Sequence, residues 1–236
     1  MAIACASSNV IRKFFSHIPK TYEVINHIIT LGLDVLWRKK AARIASSGGG
    51  ETWLDVCSGT GDMAYALARV ARPDTKIVAV DFCLPMLSQA AKKPGHSRIF
   101  FCVSEAGSLP FAANTFDVVT ISFATRNLNT TQDILLERFR EFYRVLKPSG
   151  RFVNLETSQP TSALFRKMVH GYIGLMVKPV GYLISGSKAA YGYLSYTIPR
   201  FFNAEELAEI MYLAGFKKVN VTLLSFGIAA VHTAIK

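Results

Sequence analysis

Between Thr52 and Leu155 the chain switches repeatedly between short apolar runs and stretches whose apolar residues recur at helical spacing. The strand candidates are Thr52 to Val56, Lys76 to Val80, Arg98 to Val103, Phe116 to Ser122 and Gly150 to Leu155. Met63 to Ala71, Leu84 to Ala91 and Gln132 to Leu146 read as helices between them, the last stopped at Lys147-Pro148-Ser149-Gly150. Strands that alternate with helices pair in parallel, because each helix returns the chain to the same end of the sheet, and helices then cover both faces. Ala204 to Ala214 reads as a further helix stopped by Gly215, followed by two strands, Lys217 to Leu224 and Gly227 to Ile235, joined by a Ser-Phe-Gly connection. The fold expected is α/β: a doubly wound, Rossmann-like, seven-stranded sheet with an antiparallel C-terminal strand, N-terminal helices and a helical substrate lid.

The flanks differ from this core. His17 to Ile29 and Leu33 to Ala45 are helix candidates separated by Gly32, and Ser46 to Gly50 is a flexible link. Residues 158–202 interrupt the alternation with an apolar, basic stretch spotted with glycine, read either as a pair of covering helices or as an interfacial, substrate-gating element. The expected division is a helical cap over 1–46, a core over 47–157, a lid facing substrate or membrane over 158–202, and a C-terminal helix with its strand pair over 203–236.

Charge follows the same division. Residues 51–157 carry 12 basic and 11 acidic side chains, whereas residues 1–50 carry 7 and 2 and residues 158–236 carry 8 and 3, so nearly all of the net +11 lies on the flanks. A basic flank suits nucleic acid, an anionic lipid surface or an acidic substrate, or is a solvated face. No RNA-binding module or aromatic stacking platform accompanies it, so nucleic acid is not the expected partner. No run reaches the roughly 18 apolar residues of a membrane span, and the first residues lack a secretory pattern, which predicts a cytoplasmic protein. Cys5, Cys57, Cys83 and Cys102 stand singly, as free thiols rather than a disulfide framework or a zinc site, and no metal is expected.

Chemistry concentrates after the first strand, in Asp55-Val-Cys-Ser-Gly-Thr-Gly-Asp62. Gly59 and Gly61 lack a Cβ, so backbone N–H groups can approach a cofactor closely. Asp81, twenty residues beyond Gly61 at the end of the second strand, is placed to grip ribose hydroxyls. The same residues match the dinucleotide pattern G-x-G-x-x-A, so a nicotinamide or flavin enzyme competes. Asp55 and Asp62 favour a cofactor bearing an ammonium and a sulfonium over one bearing a pyrophosphate. Each acid also has a plain structural reading, as a strand-end, helix N-terminal or loop-capping residue.

From Phe15 onward the chain resembles the ubiquinone and menaquinone biosynthesis C-methyltransferases, which belong to the class I S-adenosylmethionine-dependent methyltransferases. The resemblance is carried by Tyr22-Glu-Val-Ile-Asn26, Leu36-Trp-Arg38, the glycine loop, Leu109-Pro-Phe111 with Phe116-Asp117, and Thr120-Ile-Ser-Phe-Ala-Thr-Arg-Asn127. Tyr143-Arg-Val-Leu-Lys-Pro148, Leu155-Glu156, Tyr191-x-Tyr-Leu194 and Phe226-Gly-Ile-Ala-Ala-Val-His232 extend it. It implies S-adenosyl-L-methionine held by Thr60, Asp81, Glu105, Ala106 and Ser122, beside Asp55, Gly59 and Gly61 of the loop. Arg126 and Asn127 would stand at the methyl-transfer site as catalytic residues, and Tyr22 and His170 would contact substrate. Glu23 stands where the family usually has Asp, Thr125 where it has Leu or Ile, and Ser187 where Asp commonly follows Ser-Gly.

The activity implied is methylation of a ring carbon of a polyprenylated hydroquinone, with a demethylmenaquinol-like ring or a ubiquinone precursor as substrate. Methylation of another small aromatic or a lipid-tailed heteroaromatic is the alternative. A prenyl tail lives in the bilayer, so the basic flanks are expected to make peripheral contact with an anionic membrane surface. A homodimer is open to such a chain.

Overall fold

The computed structural model describes Ser16, Pro19 and residues 21–236 apart from Thr130. His17, Ile18 and Lys20 of the first expected helix, and Cys5, lie outside the described residues. Among the described residues, the helices α1 (Tyr22–Ile29) and α2 (Leu33–Ser46) precede the sheet. The core then runs β1 (Thr52–Val56), α3 (Asp62–Val70), β2 (Lys76–Asp81), α4 (Leu84–Ala90), β3 (Ile99–Val103), β4 (Phe116–Ser122), α5 (Thr125–Leu128), α6 (Gln132–Val145) and β5 (Leu146–Thr157). Next come α7 (Ala163–Ser185), α8 (Lys188–Thr197), α9 (Ala204–Leu213), β6 (Lys217–Leu224) and β7 (Ala229–Ile235).

The seven strands form one sheet in the order β3-β2-β1-β4-β5-β7-β6. β3 through β5 are parallel, and β7 alone runs against them, inserted between β5 and β6. This is the expected doubly wound sheet with a reversed C-terminal strand. Strand order turns back between β1 and β4, and that switch point opens a crevice beyond their carboxyl ends.

Two apolar layers sandwich the sheet. On one face Phe139 and Phe142 of α6 pack with Phe152 of β5 and Phe216, which precedes β6, their ring centroids 5.2–6.2 Å apart. Offset and edge-on contacts of this kind add to the burial of the rings themselves. On the other face Ala41, Ala42 and Ala45 of α2 meet Ala64 and Leu67 of α3. Small side chains let these two helices approach closely over the sheet. Residues 163–197 form two helices that join α1 around a third cluster, built on Ile25, Ile173, Val177 and Tyr191. The stretch that broke the alternation is therefore a helical pair with its own small core, set over the carboxyl end of the sheet.

Local departures from the expected boundaries have backbone causes. The turn expected at Lys147–Gly150 is absorbed into β5 as an irregularity. Between paired positions β4 advances from Phe116 to Val118 while β5 advances from Leu146 to Arg151, with Ser149 in the left-handed region at φ 63°. β7 starts at Ala229 rather than Gly227, because Ser225, Phe226 and Gly227 all have positive φ and cannot pair in a ladder.

Asp117 at the start of β4 ties the amino ends of the strands together. Its carboxylate accepts the N–H groups of Glu51 and Thr52 and the Thr52 hydroxyl, and pairs with Lys147 Nζ at 2.9 Å. Partial burial raises its pKa, but these donors outweigh burial and hold it at about 2. A carboxyl whose folded pKa lies below its ordinary value stabilises the fold above that ordinary value and ceases to do so as pH falls through the folded one. The stability gap between wild type and Asp117→Asn should therefore be full above about pH 4 and close towards pH 2, as read from denaturant midpoints across that range. A gap independent of pH would show that the Asp117 charge contributes nothing.

Candidate functional site

β1 ends at a chain reversal that only particular residues allow. Cys57, Gly59 and Gly61 all have positive φ, at 54°, 56° and 85°. At Gly59 the missing Cβ leaves open space. At Gly61 a Cβ would sit 3.0 Å from that of Ala90, so this glycine serves the approach of α3 to α4 and does not itself border the cleft. β4 ends in the same way at Phe123, φ 55°. Two left-handed residues at neighbouring strand ends throw both loops outwards, and a cleft of about 910 Å³, its open mouth included, lies between them.

The cleft collects Asp55, Gly59, Thr60, Asp81, Glu105, Ala106, Ser122 and Asn127, with Tyr22 of α1 over it. Sequence reasoning brought all of these to one place. Asp81 spends both carboxylate oxygens on architecture, Oδ2 accepting the Gly59 N–H and Oδ1 the Cys83 N–H, each at 2.8 Å. Burial pushes it up to about 6 against those two bonds. Asp55 is fully buried; burial pushes it up to about 7 against the bond that Oδ1 accepts from the Thr120 hydroxyl at 2.7 Å. Asp62, expected to favour a cationic cofactor or to stabilise the start of α3, is met by Lys93 Nζ at 2.6 Å, which also reaches Glu23 at 2.5 Å. Glu23, unusual for the family, thereby clasps α1 to the loop after α4.

The donor set can be tested for fit with the methyl donor. Ser122 Oγ and Asn127 Oδ1 are buried at the cleft with no hydrogen-bond partner among the described residues. Orphaned buried acceptors cost free energy unless a ligand supplies donors. Four carboxylates, those of Asp55, Asp62, Asp81 and Glu105, border the space. A nucleoside with ribose hydroxyls, an ammonium and a sulfonium satisfies such a site, and a pyrophosphate would be repelled.

A second cavity of about 550 Å³ adjoins the first and shares Tyr22, Arg38 and Phe123 with it. Ile29, Trp37, Val177, Leu194 and Ile198 form apolar walls, and Thr157 and Arg126 add polar groups. Arg126 and Asn127 are consecutive on the single turn of α5, yet Arg126 borders this second cavity and Asn127 the first. Arg126 is buried against the fully buried Glu156, NH1 lying 3.3 Å from Oε1, and NH1 also donates to the Thr157 hydroxyl at 3.1 Å. Arg126 is thus ion-paired, while its Nε keeps no partner among the described residues. Glu156 lies in a quoted motif, but its pairing across thirty positions left no local signal. His170 lies in neither cavity: Nε2 meets Gln159 Oε1 at 2.7 Å, and burial, then Arg166 and Arg200, lower its pKa.

This geometry agrees with the comparisons to known proteins. The model of the ubiE/COQ5 methyltransferase family matches residues 4–236. The chain belongs to that family. It is 35% identical over 230 residues to a demethylmenaquinone methyltransferase of Lactobacillus johnsonii, covering 96% of this chain and 92% of the relative. It is 34% identical over 226 residues to a ubiquinone/menaquinone biosynthesis C-methyltransferase UbiE of Desulfotalea psychrophila, covering 96% and 90%. A SAM-dependent methyltransferase structure from Aquifex aeolicus shares the fold with a TM-score of 0.57 at 19% identity, over 83% of this chain and 88% of that one. The protein is an S-adenosylmethionine-dependent C-methyltransferase, and the dinucleotide reading of the glycine loop falls away.

The departures from the family pattern now have physical accounts. Ser187 caps α8, its hydroxyl accepting the Ala190 N–H, as an aspartate would. Thr125 closes a buried chain. His232 Nε2 lies 2.8 Å from the Ala204 carbonyl, which can only accept, so the proton is on Nε2 and Nδ1 is an acceptor. Asn154 Nδ2 donates to that Nδ1 at 3.3 Å, leaving Asn154 Oδ1 to accept from the Thr125 hydroxyl. Burial lowers the His232 pKa, in keeping with a neutral ring. Replacing Thr125→Val strands a buried acceptor and should cost about 1–3 kcal/mol in denaturant unfolding; a loss under about 0.5 kcal/mol would show that the chain does not bind α5 to the sheet.

Proposed function

We propose that this enzyme methylates a ring carbon of a prenylated hydroquinone, a demethylmenaquinol-like ring being the substrate that best fits its cavities. The observation that carries the reading is the second cavity: polar groups at the carboxyl ends of β4 and β5, apolar walls from α1, α7 and α8, and a shared border with the cofactor cleft. A quinol ring with a hydrocarbon tail has the same division. The names of the relatives point the same way.

Thr60, Asp81, Glu105, Ala106 and Ser122 are the residues proposed to hold S-adenosylmethionine, beside Asp55 and Gly59. When bound, it supplies an electrophilic methyl group on a sulfonium sulfur. The acceptor carbon must be made nucleophilic, which a phenolate does by delocalising charge onto the ortho carbon. Arg126, neutralised by Glu156 but with N–H capacity remaining, stabilises that developing charge at the second cavity; Asn127 orients the ring from the first. Residues 21–46 and 158–202 serve as cap and lid, excluding water and aligning the two reactants. Tyr22 lies on both cavities and is raised in pKa by burial, so it acts as a neutral phenol that contacts substrate. His170 takes no part.

Incubation of the purified protein with methyl-labelled S-adenosylmethionine should label the ring of a short-tailed demethylnaphthoquinol and leave the oxidised quinone unlabelled. Turnover confined to a tail-less polar phenol would overturn the substrate assignment.

The lid also supports a peripheral membrane contact. Leu164, Met168, Leu175 and Leu183 form an outward stripe along α7 with exposures of 64–86%. The exposed Phe226 joins it through an edge-on contact with Phe165, and the Tyr172 hydroxyl, bonded to the Ile29 carbonyl, brings the Leu31 turn alongside. Residues 158–202 contain five Lys or Arg and no Asp or Glu. An apolar stripe in a wholly basic segment fits an anionic lipid surface, each nearby cation adding on the order of 1 kcal/mol. No helix among the described residues is long and apolar enough to cross a membrane. Vesicles containing anionic lipid should sediment the protein at low salt, and Leu183→Glu should release it; equal binding to neutral vesicles would remove the electrostatic part.

A further inference from the structure

Among the described residues bordering the cofactor cleft, Arg38 is the only cation amid four carboxylates. The cofactor is not uniformly positive. Its amino-acid end carries an α-carboxylate as well as an α-ammonium, and a carboxylate brought into a mostly buried acidic cleft needs a cation. The glycine loop has little to offer it. The N–H of Ser58 is donated to Val80, that of Gly59 to Asp81 and that of Gly61 to Ser58, and the first turn of α3 already carries Asp62.

Arg38 is held ready for such a partner. It is 7% exposed, and NH1 donates to Asp34 Oδ2 at 2.5 Å. Asp34 is itself 2% exposed and also takes the Thr30 hydroxyl and His27, so the anchor is rigid. The guanidinium lies 5.1 Å from the centre of the Phe123 ring at the end of β4. NH2 stands 3.7 Å from Asp62, too far for a hydrogen bond. A planar fork fixed at one nitrogen and over a ring keeps its remaining N–H groups in a geometry that matches a carboxylate. Carboxylates on the same cleft offer an anion for the ammonium.

We propose that Arg38 binds the α-carboxylate of the methionine portion of S-adenosylmethionine. The proposal rests on the cofactor assignment and adds to it the residue that reads the amino-acid end. A zwitterion is recognised by charges of both signs set side by side, and Arg38 is the element of that pair which the acidic loop cannot supply. It is reached from α2, outside the Rossmann-like core, so binding of the cofactor also draws on the N-terminal cap.

The test compares S-adenosylmethionine with its decarboxylated analogue, which lacks only the carboxylate, by calorimetry on the full chain. Wild type should prefer S-adenosylmethionine. Arg38→Met, which keeps the apolar stem, should weaken S-adenosylmethionine by about 30-fold or more while changing the analogue by less than about 3-fold, so that the preference collapses. Arg38→Lys should recover part of it. Equal weakening of both ligands would overturn the proposal in favour of a packing role. So would unchanged binding of both with a raised KM for the quinol, which would give Arg38 to the acceptor. The wild-type comparison stands even if a variant fails to fold, since no preference there overturns the assignment. Wild type that binds neither ligand would overturn the cofactor reading and this proposal with it.

Discussion

Parallel pairing of β1 with β2 on one side and β4 on the other is the constraint on which the site depends. The chain leaves β1 and β4 towards opposite faces of the sheet, and a cleft opens between their carboxyl ends. Left-handed residues at Cys57 and Phe123 complete the divergence. The glycine loop hangs from β1, and the turn carrying Arg126 and Asn127 from β4. Asp81, one strand over, clamps the loop by accepting the Gly59 N–H.

A crevice formed this way would be open to water on its upper side. α1 and α2 border it through Tyr22 and Arg38, and charge ties these two helices to the core. Glu23 of α1, Lys93, Asp62 of α3, and Arg38 and Asp34 of α2 form one run of ion pairs around the rim, and Asp34 also accepts a hydrogen bond from His27 of α1. Individual surface pairs contribute little, but Arg38 and Asp34 are buried, where removal of one partner leaves the other uncompensated. The network therefore fixes where the cap sits more than it adds to stability. Apolar packing of Ile25 against Ile173, Val177 and Tyr191 supplies the cohesion.

Two kinds of buried polar group can be told apart. Thr125, Asn154 and His232 satisfy one another in sequence and end on a backbone carbonyl, so they are architecture. Ser122 and Asn127 border the cleft, and each keeps a buried oxygen with no partner among the described residues. The difference places function at one end of the sheet without any bound molecule.

The order of strands and helices, the left-handed glycines and the acidic loop were all written in the sequence, because periodicity and φ preferences act over a few residues. The boundaries of β1, β4 and β6 follow from such local signals, and the family motifs, being contiguous, were legible in the same way. Which motif residues meet was settled by the fold. Arg126 is paired with Glu156 because β4 and β5 lie side by side, Arg38 reaches the cleft because α2 packs across α3, and His170 lies outside both cavities because its place on α7 turns it towards Gln159. Asp62 pairs with a lysine thirty-one positions away. Charge pairing acts through space between distant segments, and only tertiary packing chooses among the partners a sequence offers.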